Sequence, residues 1–291
     1  MSDAAVAAAR SLLYAPGTRP DRVAKAAASG VDAVIVDLED AVPAAAKDEA
    51  RAGARSALTG AAAGAPLLVR IDLTAPELDL AAVALPALAG IVVPKAEPAV
   101  LERLDGLAAA AGIPAEVPFV ALLETATGVL HAEEVARHPR VVRLAVGEAD
   151  LAGELRLGGD VADLLTGVRL AVVLASAAAG VAAPIGPVER HLDDPDLLLA
   201  TSRTLVRQGF RGRTVLHPRQ LDVVNAAFTP SGAEIADARA VVADFEATGS
   251  GTLVGRDGRF VDRAVVRAAR EVLARAPGEV SGVRPDREPH R

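Results

Sequence analysis

Eight short apolar runs recur along this chain, with longer helix-like segments between them. They are SLLYAPG (11–17), AVIVDLE (33–39), LLVRID (67–72), GIVVPK (90–95), FVALLET (119–125), VVRLAVGE (141–148), GVAAPIGP (180–187) and RGRTVLHP (211–218). Val/Ile/Leu runs without polar alternation read as strands covered on both faces, as in parallel sheets. The segments 19–28, 43–58, 97–111, 128–137, 160–179 and 195–208 fit helices; the segment 77–88 is short and holds Pro86. Eight βα alternations predict an α/β fold, a closed (β/α)8 TIM barrel over residues 1–227. A doubly wound open sheet is the competing arrangement. It would usually carry a Gly-rich phosphate loop after an early strand, and APGTRP (15–20) is not GxGxxG.

Half of the residues are hydrophobic but only 2% are aromatic and none is Trp, so Ala, Val and Leu must fill the core. A net charge of −7 argues against nucleic acid and anionic membrane as partners. The absence of cysteine excludes disulfides, thiolate metal sites and Cys nucleophiles. The start, MSDAAVAAAR, lacks the basic and apolar regions of a signal peptide. The longest uncharged stretch, Leu170 to Val188, is broken by Gly180, Pro184, Gly186 and Pro187, and reads as a helix end, a turn and a strand. A soluble cytoplasmic protein is the expectation.

After the eighth run come a helix (218–227), the break FTPSG (228–232), a second helix (233–247) and the Gly-rich hinge TGSGTLVG (248–255). One amphipathic helix follows in 258–276, preceded by a strand-like piece. Residues 228–276 are thus expected to form a helical extension. It is too small to bury a core of its own, and should pack on the barrel or on a neighbouring subunit. The tail 277–291 is rich in Pro, Gly and charge and is expected to be disordered.

Several of the runs end in charge. In a parallel barrel the carboxyl ends of the strands converge on one face, where active sites sit. The exits carry Asp37, Glu39 and Asp40, then Arg70 and Asp72, Lys95, Glu124, Glu148 and Asp150, and His217. Glu124 and Asp150, from neighbouring strands, could hold a hard divalent ion such as Mg²⁺, completed by a chelating 2-oxo acid and waters. Glu39 and Asp40 are candidates to orient those waters. Arg70 offers a planar fork for a substrate carboxylate. With a metal polarising a carbonyl or alkoxide, such a site suits reversible carbon–carbon cleavage next to a carboxylate.

Each residue also has a bland reading. Asp37 could cap the following helix. Glu124 could pair with an arginine such as Arg143, and Arg70 with Asp72 or Asp37. Glu148 competes with Asp150 for the metal role. His217-Pro218 reads as loop architecture, and Asp262 as a helix N-cap. Lys25, Lys47 and Arg51 could meet phosphates, although exposed helix charges are the ordinary explanation. Clustering at one rim is what favours function.

The motifs RSLLYAPG (10–17), VDAVIVDLEDAV (31–42) with Lys47 and Arg51, LVRID (68–72), VVPKAE (92–97), LLETATGV (122–129), VGEADL (146–151), GFRGRTVLHPRQ (209–220) and FTPS (228–231) occur in that order. Together they resemble the citrate lyase beta-chain-like CoA ester lyases of the HpcH/HpaI aldolase superfamily. The resemblance covers roughly residues 10 to 275. It implies a (β/α)8 barrel, Mg²⁺ as cofactor, and reversible Claisen-type chemistry on acyl-CoA thioesters with a 2-oxo acid as partner. By motif, Glu124 and Asp150 match metal ligands, Arg70 the carboxylate-binding arginine, and Glu39 and Asp40 the acids beside the metal waters. Arg10 and Lys95 match substrate-binding rim positions, and Lys25, Lys47 and Arg51 are weak candidates for CoA. The segment DGRFVD (257–262) is similar to the one that caps a neighbouring subunit's site in malyl-CoA and citramalyl-CoA lyases, which makes Asp262 the expected proton-transfer residue and a homotrimer or homohexamer the expected assembly. One departure stands out: the family's strand seven commonly ends in Ile-Asp, and this chain has Ile185-Gly186-Pro187.

The expected activity is cleavage of a citramalyl-CoA- or malyl-CoA-type 3-hydroxy acyl-CoA to acetyl-CoA and a 2-oxo acid. Alternatives are a citrate lyase beta chain acting on an acyl-carrier-protein thioester, a metal-dependent pyruvate aldolase, and a non-catalytic acyl-CoA binder. Hydrolysis of the thioester after condensation, as in a malate synthase-like activity, is a further alternative.

Overall fold

Along each apolar run, alternate side chains enter two different cores. Ala33 and Ile35 join Leu12, Leu68, Val92, Val120, Leu122, Ala145 and Ile185 in an inner cluster. Val34 and Val36 join Val69, Ile91, Val93, Ala121, Leu123 and Leu144 in an outer cluster that also takes up the helices. A strand with an apolar core on both sides cannot alternate with polar residues, which is why these runs are unbroken. The computed structural model describes residues 2–60, 64–158, 163–248, 251–255 and 258–276.

The eight strands are β1 (Ser11–Pro16), β2 (Ala33–Asp37), β3 (Leu67–Arg70), β4 (Leu88–Val93), β5 (Phe119–Leu123), β6 (Val141–Val146), β7 (Ala182–Gly186) and β8 (Gly212–Val215). They close in sequence order into an all-parallel barrel, with β8 pairing back onto β1. This is the expected (β/α)8 architecture, and the flanking helices lie within a few residues of the predicted ones. Two helices go beyond the prediction: Ser2–Ala8, before β1, and Glu148–Glu154, directly after β6. The segment predicted as one helix over 128–137 is two, Ala126–Leu130 and Ala132–Arg137. The predicted helix over 160–179 is described as Thr166–Ala179, its first residues lying outside the described ones.

The amino-terminal helix closes the bottom of the barrel, with Val6 and Ala9 in the inner cluster. Arg143, on β6, is fully buried there. Its Nη1 donates to the carbonyls of Ala9 (2.6 Å) and Val6 (3.3 Å), and its Nε to Ala183 (2.6 Å). Burial pushes its pKa down to about 9, which still leaves it charged at neutral pH. The suggested pairing of Arg143 with Glu124 is therefore corrected: the arginine is spent on backbone carbonyls at the opposite end of the barrel.

The chain divides into two compact units, 1–228 and 229–291. In the second, helix Gly232–Thr248 packs against helix Arg263–Ala274, with Arg270 Nη2 donating to Glu246 Oε1 at 3.0 Å. Part of the predicted hinge is a strand instead: Leu253–Val254 pairs antiparallel with Phe260–Val261. The predicted tail, 277–291, lies outside the described residues. Among the described residues no helix is long and apolar enough to cross a membrane.

Replacing Arg143 by Ala leaves three buried carbonyls without their donor and opens a cavity, so it should lower unfolding stability by about 3–5 kcal/mol. Urea denaturation checks this; a loss below about 1 kcal/mol would show that the bottom closure does not depend on Arg143.

Candidate active site

The barrel register sets the first contact of the site. Asp37 and Arg70 end β2 and β3 and are direct partners in the ladder. Arg70 Nε and Nη2 donate to the two Asp37 oxygens at 2.7 and 2.6 Å. Asp37 also accepts from the backbone N–H of Glu39 (2.9 Å) and Ala41 (3.0 Å), so one buried carboxylate shapes the turn after β2 and aims the arginine. Of the two partners suggested for Arg70, the structure selects Asp37. One edge of the guanidinium is thereby occupied, and the Nη1 end is left toward Glu39 Oε2 (3.0 Å) and Asp40 Oδ2 (3.4 Å). Tyr14, on β1, lies flat under Arg70, whose Cζ is 5.0 Å from the ring centroid. Sequence reasoning passed over Tyr14, and it weighed Asp37 as a strand-exit acid against a helix cap without giving it a defined role.

Glu124 follows β5 and is 4% exposed. Its Oε1 accepts from the backbone N–H of Lys95 (2.9 Å), and its other oxygen packs against Gly147. A β-carbon at Gly147 would lie 2.5 Å from Glu124 Oε2 and 2.6 Å from Glu124 Cβ, so only glycine fits beside this side chain. Burial pushes Glu124 up to about 7; the neighbouring charges of Glu39 and Asp150 add to the rise. Lys95 gathers the acids: its Nζ donates to Glu39 Oε1 (2.7 Å) and lies 3.6 Å from Asp150 Oδ2 and 4.0 Å from Glu124 Oε1. Glu39 is likewise raised, burial outweighing the pull of Arg70 and Lys95, and its Oε2 is met by the Arg70 guanidinium at 3.0 Å.

Asp150 sits in the first turn of helix Glu148–Glu154, which places it at the rim. Glu148 and Asp150 face different cations. Glu148 is held by Arg169 through two hydrogen bonds, from Nε (2.5 Å) and Nη2 (2.8 Å), whereas Asp150 is turned toward Lys95. Among the described residues no three His, Cys, Asp or Glu side chains form an all-protein metal cage. Glu124 and Asp150 nevertheless fit a magnesium ion by donor chemistry, because Mg²⁺ prefers one or two carboxylates and keeps its remaining positions for substrate and water.

These groups border a cavity of about 1260 Å³ at the carboxyl ends of the strands, lined by Tyr14, Asp40, Arg70, Glu124 and Asp150. Arg169, Arg190 and Arg213 also line it. Arg213 stands within the quoted motif GFRGRTVLHPRQ, yet sequence reasoning gave it no role.

Other expectations need correction. Arg10 is not at this rim: it precedes β1, at the opposite end of the barrel, and its Nε and Nη2 donate to Asp32 at 2.8 and 2.9 Å. Lys47 and Arg51 are already engaged. Lys47 Nζ meets Asp72 Oδ2 (2.6 Å) and donates to the carbonyls of Leu38 and Glu39, and Arg51 Nε donates to Asp79 (2.7 Å). Lys25 is exposed in the last turn of helix Pro20–Ala27, which runs away from the rim. His217 accepts from the backbone of Arg219 and caps the turn after β8, as its bland reading had it. Asp262 belongs to the second unit, where Oδ1 caps helix Arg263–Ala274 by accepting from Ala264 (2.9 Å) and Val265 (3.0 Å). At Gly186 an added β-carbon would meet Leu205 Cδ1 at 2.6 Å. Since Ile185 faces the inner core, position 186 points outward at helix Pro195–Gln208, and a side chain there would not enter the barrel.

Residues 10–218 match the model of the HpcH/HpaI aldolase/citrate lyase family, and the chain belongs to that family of enzymes. It is 38% identical over 276 residues to a (3S)-malyl-CoA thioesterase of Cereibacter sphaeroides, covering 92% of this chain and 94% of the relative. It is 31% identical to an L-malyl-CoA/beta-methylmalyl-CoA lyase of the same species, again over 92% of this chain and 94% of the relative. Among solved structures it is similar to CitE of Mycobacterium tuberculosis in complex with magnesium, acetoacetate and coenzyme A: TM-score 0.78, 32% identity, 92% of this chain and 98% of that one.

The Glu124 pKa has a consequence for stability. In the folded protein it is raised to about 7. Unfolded it returns to about 4.3, so the folded state binds the extra proton between these values. This contribution is present at low pH and is lost as pH rises through about 7. The metal-free protein should therefore lose Tm across that window, and Glu124→Gln, neutral throughout, should lose less. Identical pH–Tm curves for the two proteins would refute the raised pKa.

Proposed function

We propose that this chain is a Mg²⁺-dependent carbon–carbon lyase for a 3-hydroxy acyl-CoA of the malyl-CoA or citramalyl-CoA type, releasing acetyl-CoA and a 2-oxo acid. The observation that carries the reading is the juxtaposition of Arg70, aimed by Asp37, with the buried Glu124 and the rim acid Asp150 around one cavity. A magnesium ion held by Glu124 and Asp150 would supply a Lewis acid for the oxygen on which charge develops. The remaining work falls to the protein. The Nη1 end of Arg70 receives the carboxylate of the 2-oxo acid half and fixes its orientation. Glu39 and Asp40 hold water at the rim. Once a base has taken the hydroxyl proton, the C2–C3 bond breaks, the O–H pair forms the carbonyl of the 2-oxo acid, and the C–C pair passes to the thioester half as an enolate. An acid must then return a proton to that carbon.

Asp262 is our candidate for this acid, reaching the site from a neighbouring copy in a homotrimer or homohexamer. Asparagine caps a helix as well as aspartate does. Asp262→Asn should thus leave Tm unchanged and lower kcat by about 10²-fold or more. Full activity in that variant would reduce Asp262 to its capping role.

The similarity to a malyl-CoA thioesterase favours a second reading, in which the same site hydrolyses malyl-CoA to malate and free CoA. Product identity separates the two. Purified protein given malyl-CoA and Mg²⁺ should release glyoxylate and acetyl-CoA, with little free thiol and no turnover in EDTA. Malate and stoichiometric CoA thiol would establish the hydrolase. Glu124→Ala should remove either activity.

A further inference from the structure

Lys95 has a left-handed backbone, with φ at 45°. This conformation is uncommon outside glycine and persists where the surroundings impose it. Here both ends of the residue are held by the same group of acids. The backbone N–H donates to Glu124 Oε1 at 2.9 Å, while Nζ donates to Glu39 and lies 3.6 Å from Asp150 and 4.0 Å from Glu124. One residue thus touches both carboxylates assigned to the metal, through its main chain and through its side chain.

We propose that Lys95 is the internal counter-ion of the metal site: in the metal-free protein its ammonium stands in for the divalent ion, and it moves off the carboxylates when the ion binds. The inference rests on the reading of Glu124 and Asp150 as magnesium ligands. A magnesium ion bonds its oxygens at about 2.0–2.1 Å. An ion bound to both carboxylates would therefore sit close beside an ammonium that is 3.6 Å from an oxygen of Asp150 and 4.0 Å from one of Glu124. Two cations so near one another repel strongly at the edge of a buried site. Glu124 is fixed by burial and by Gly147, and Asp150 by its short side chain in the first turn of a helix, whereas the lysine side chain is 42% exposed and rests on a flexible four-carbon stem. The lysine is the partner able to leave. Before metal arrives it keeps three clustered acids from facing one another without compensation, and it makes ion binding an exchange of one cation for another.

Two variants of the full chain test this. Lys95→Gly accepts the left-handed backbone and keeps the N–H toward Glu124 while removing the ammonium; Lys95→Met keeps the length of the side chain. Magnesium affinity is measured by calorimetric titration with MgCl₂, and Tm is measured in EDTA and in excess Mg²⁺. We expect the variants to bind Mg²⁺ about tenfold more tightly than the parent, with a lower metal-free Tm and a larger rise on adding the ion. Unchanged or weaker affinity in folded Lys95→Gly overturns the counter-ion role while leaving the metal site intact. A parent chain that binds no Mg²⁺ overturns the metal assignment and this proposal together, and it does so before any substitution is made. Lys95→Gly decides the matter if Lys95→Met does not fold.

Discussion

Asp37, Glu39 and Glu124 converge, buried, on one rim of the barrel with Asp150 exposed at its edge, and carboxylates crowded together repel one another unless cations intervene. Arg70 and Lys95 supply that compensation: Arg70 holds the acids at the exit of β2, and Lys95 joins acids from the exits of β2, β5 and β6. Much of the local architecture serves this balance. Asp37 both forms the turn after β2 and orients Arg70, Gly147 leaves room for the Glu124 side chain, and the Lys95 backbone is turned so that its N–H meets Glu124. The barrel matters to the chemistry chiefly as the frame that brings five strand exits to a common edge.

The fold was legible because burial on both faces leaves an unmistakable trace in sequence. A run such as AVIVD has no polar position to spare, and eight of them at βα spacing leave little besides a closed parallel barrel. The amino-terminal helix left no such trace. SDAAVAA has no apolar stripe, and the helix is tied down by Val6 and by a distant arginine that bonds its carbonyls. Helix Glu148–Glu154 was hidden because its first turn, EADL, begins two residues after β6 ends and reads as a continuation of the strand.

For the site, residue types at strand exits carried most of the information, and distance along the strand carried what was missed. Arg143 lies in the first half of β6, about 10 Å before the exit at 3.3 Å per residue, so it could not reach Glu124. Arg10 precedes a strand of six residues, about 20 Å from the rim, although it shares a motif with Tyr14. Ionic commitments were also invisible. Nothing in the one-dimensional pattern says that Lys47 is bound to Asp72, or that Arg169, in the next helix, holds Glu148.

Tyr14 gives the molecule an optical property of its own. The chain has no tryptophan and a single tyrosine, and that ring lines the cavity beneath the Arg70 guanidinium. Near-ultraviolet absorption and emission therefore come almost wholly from one chromophore inside the site, with five phenylalanines as a faint background. Signals that in most enzymes average over the whole structure are here local to the chemistry. Carboxylate or cation exchange beside Arg70 can be followed in the unlabelled protein, without introducing a probe.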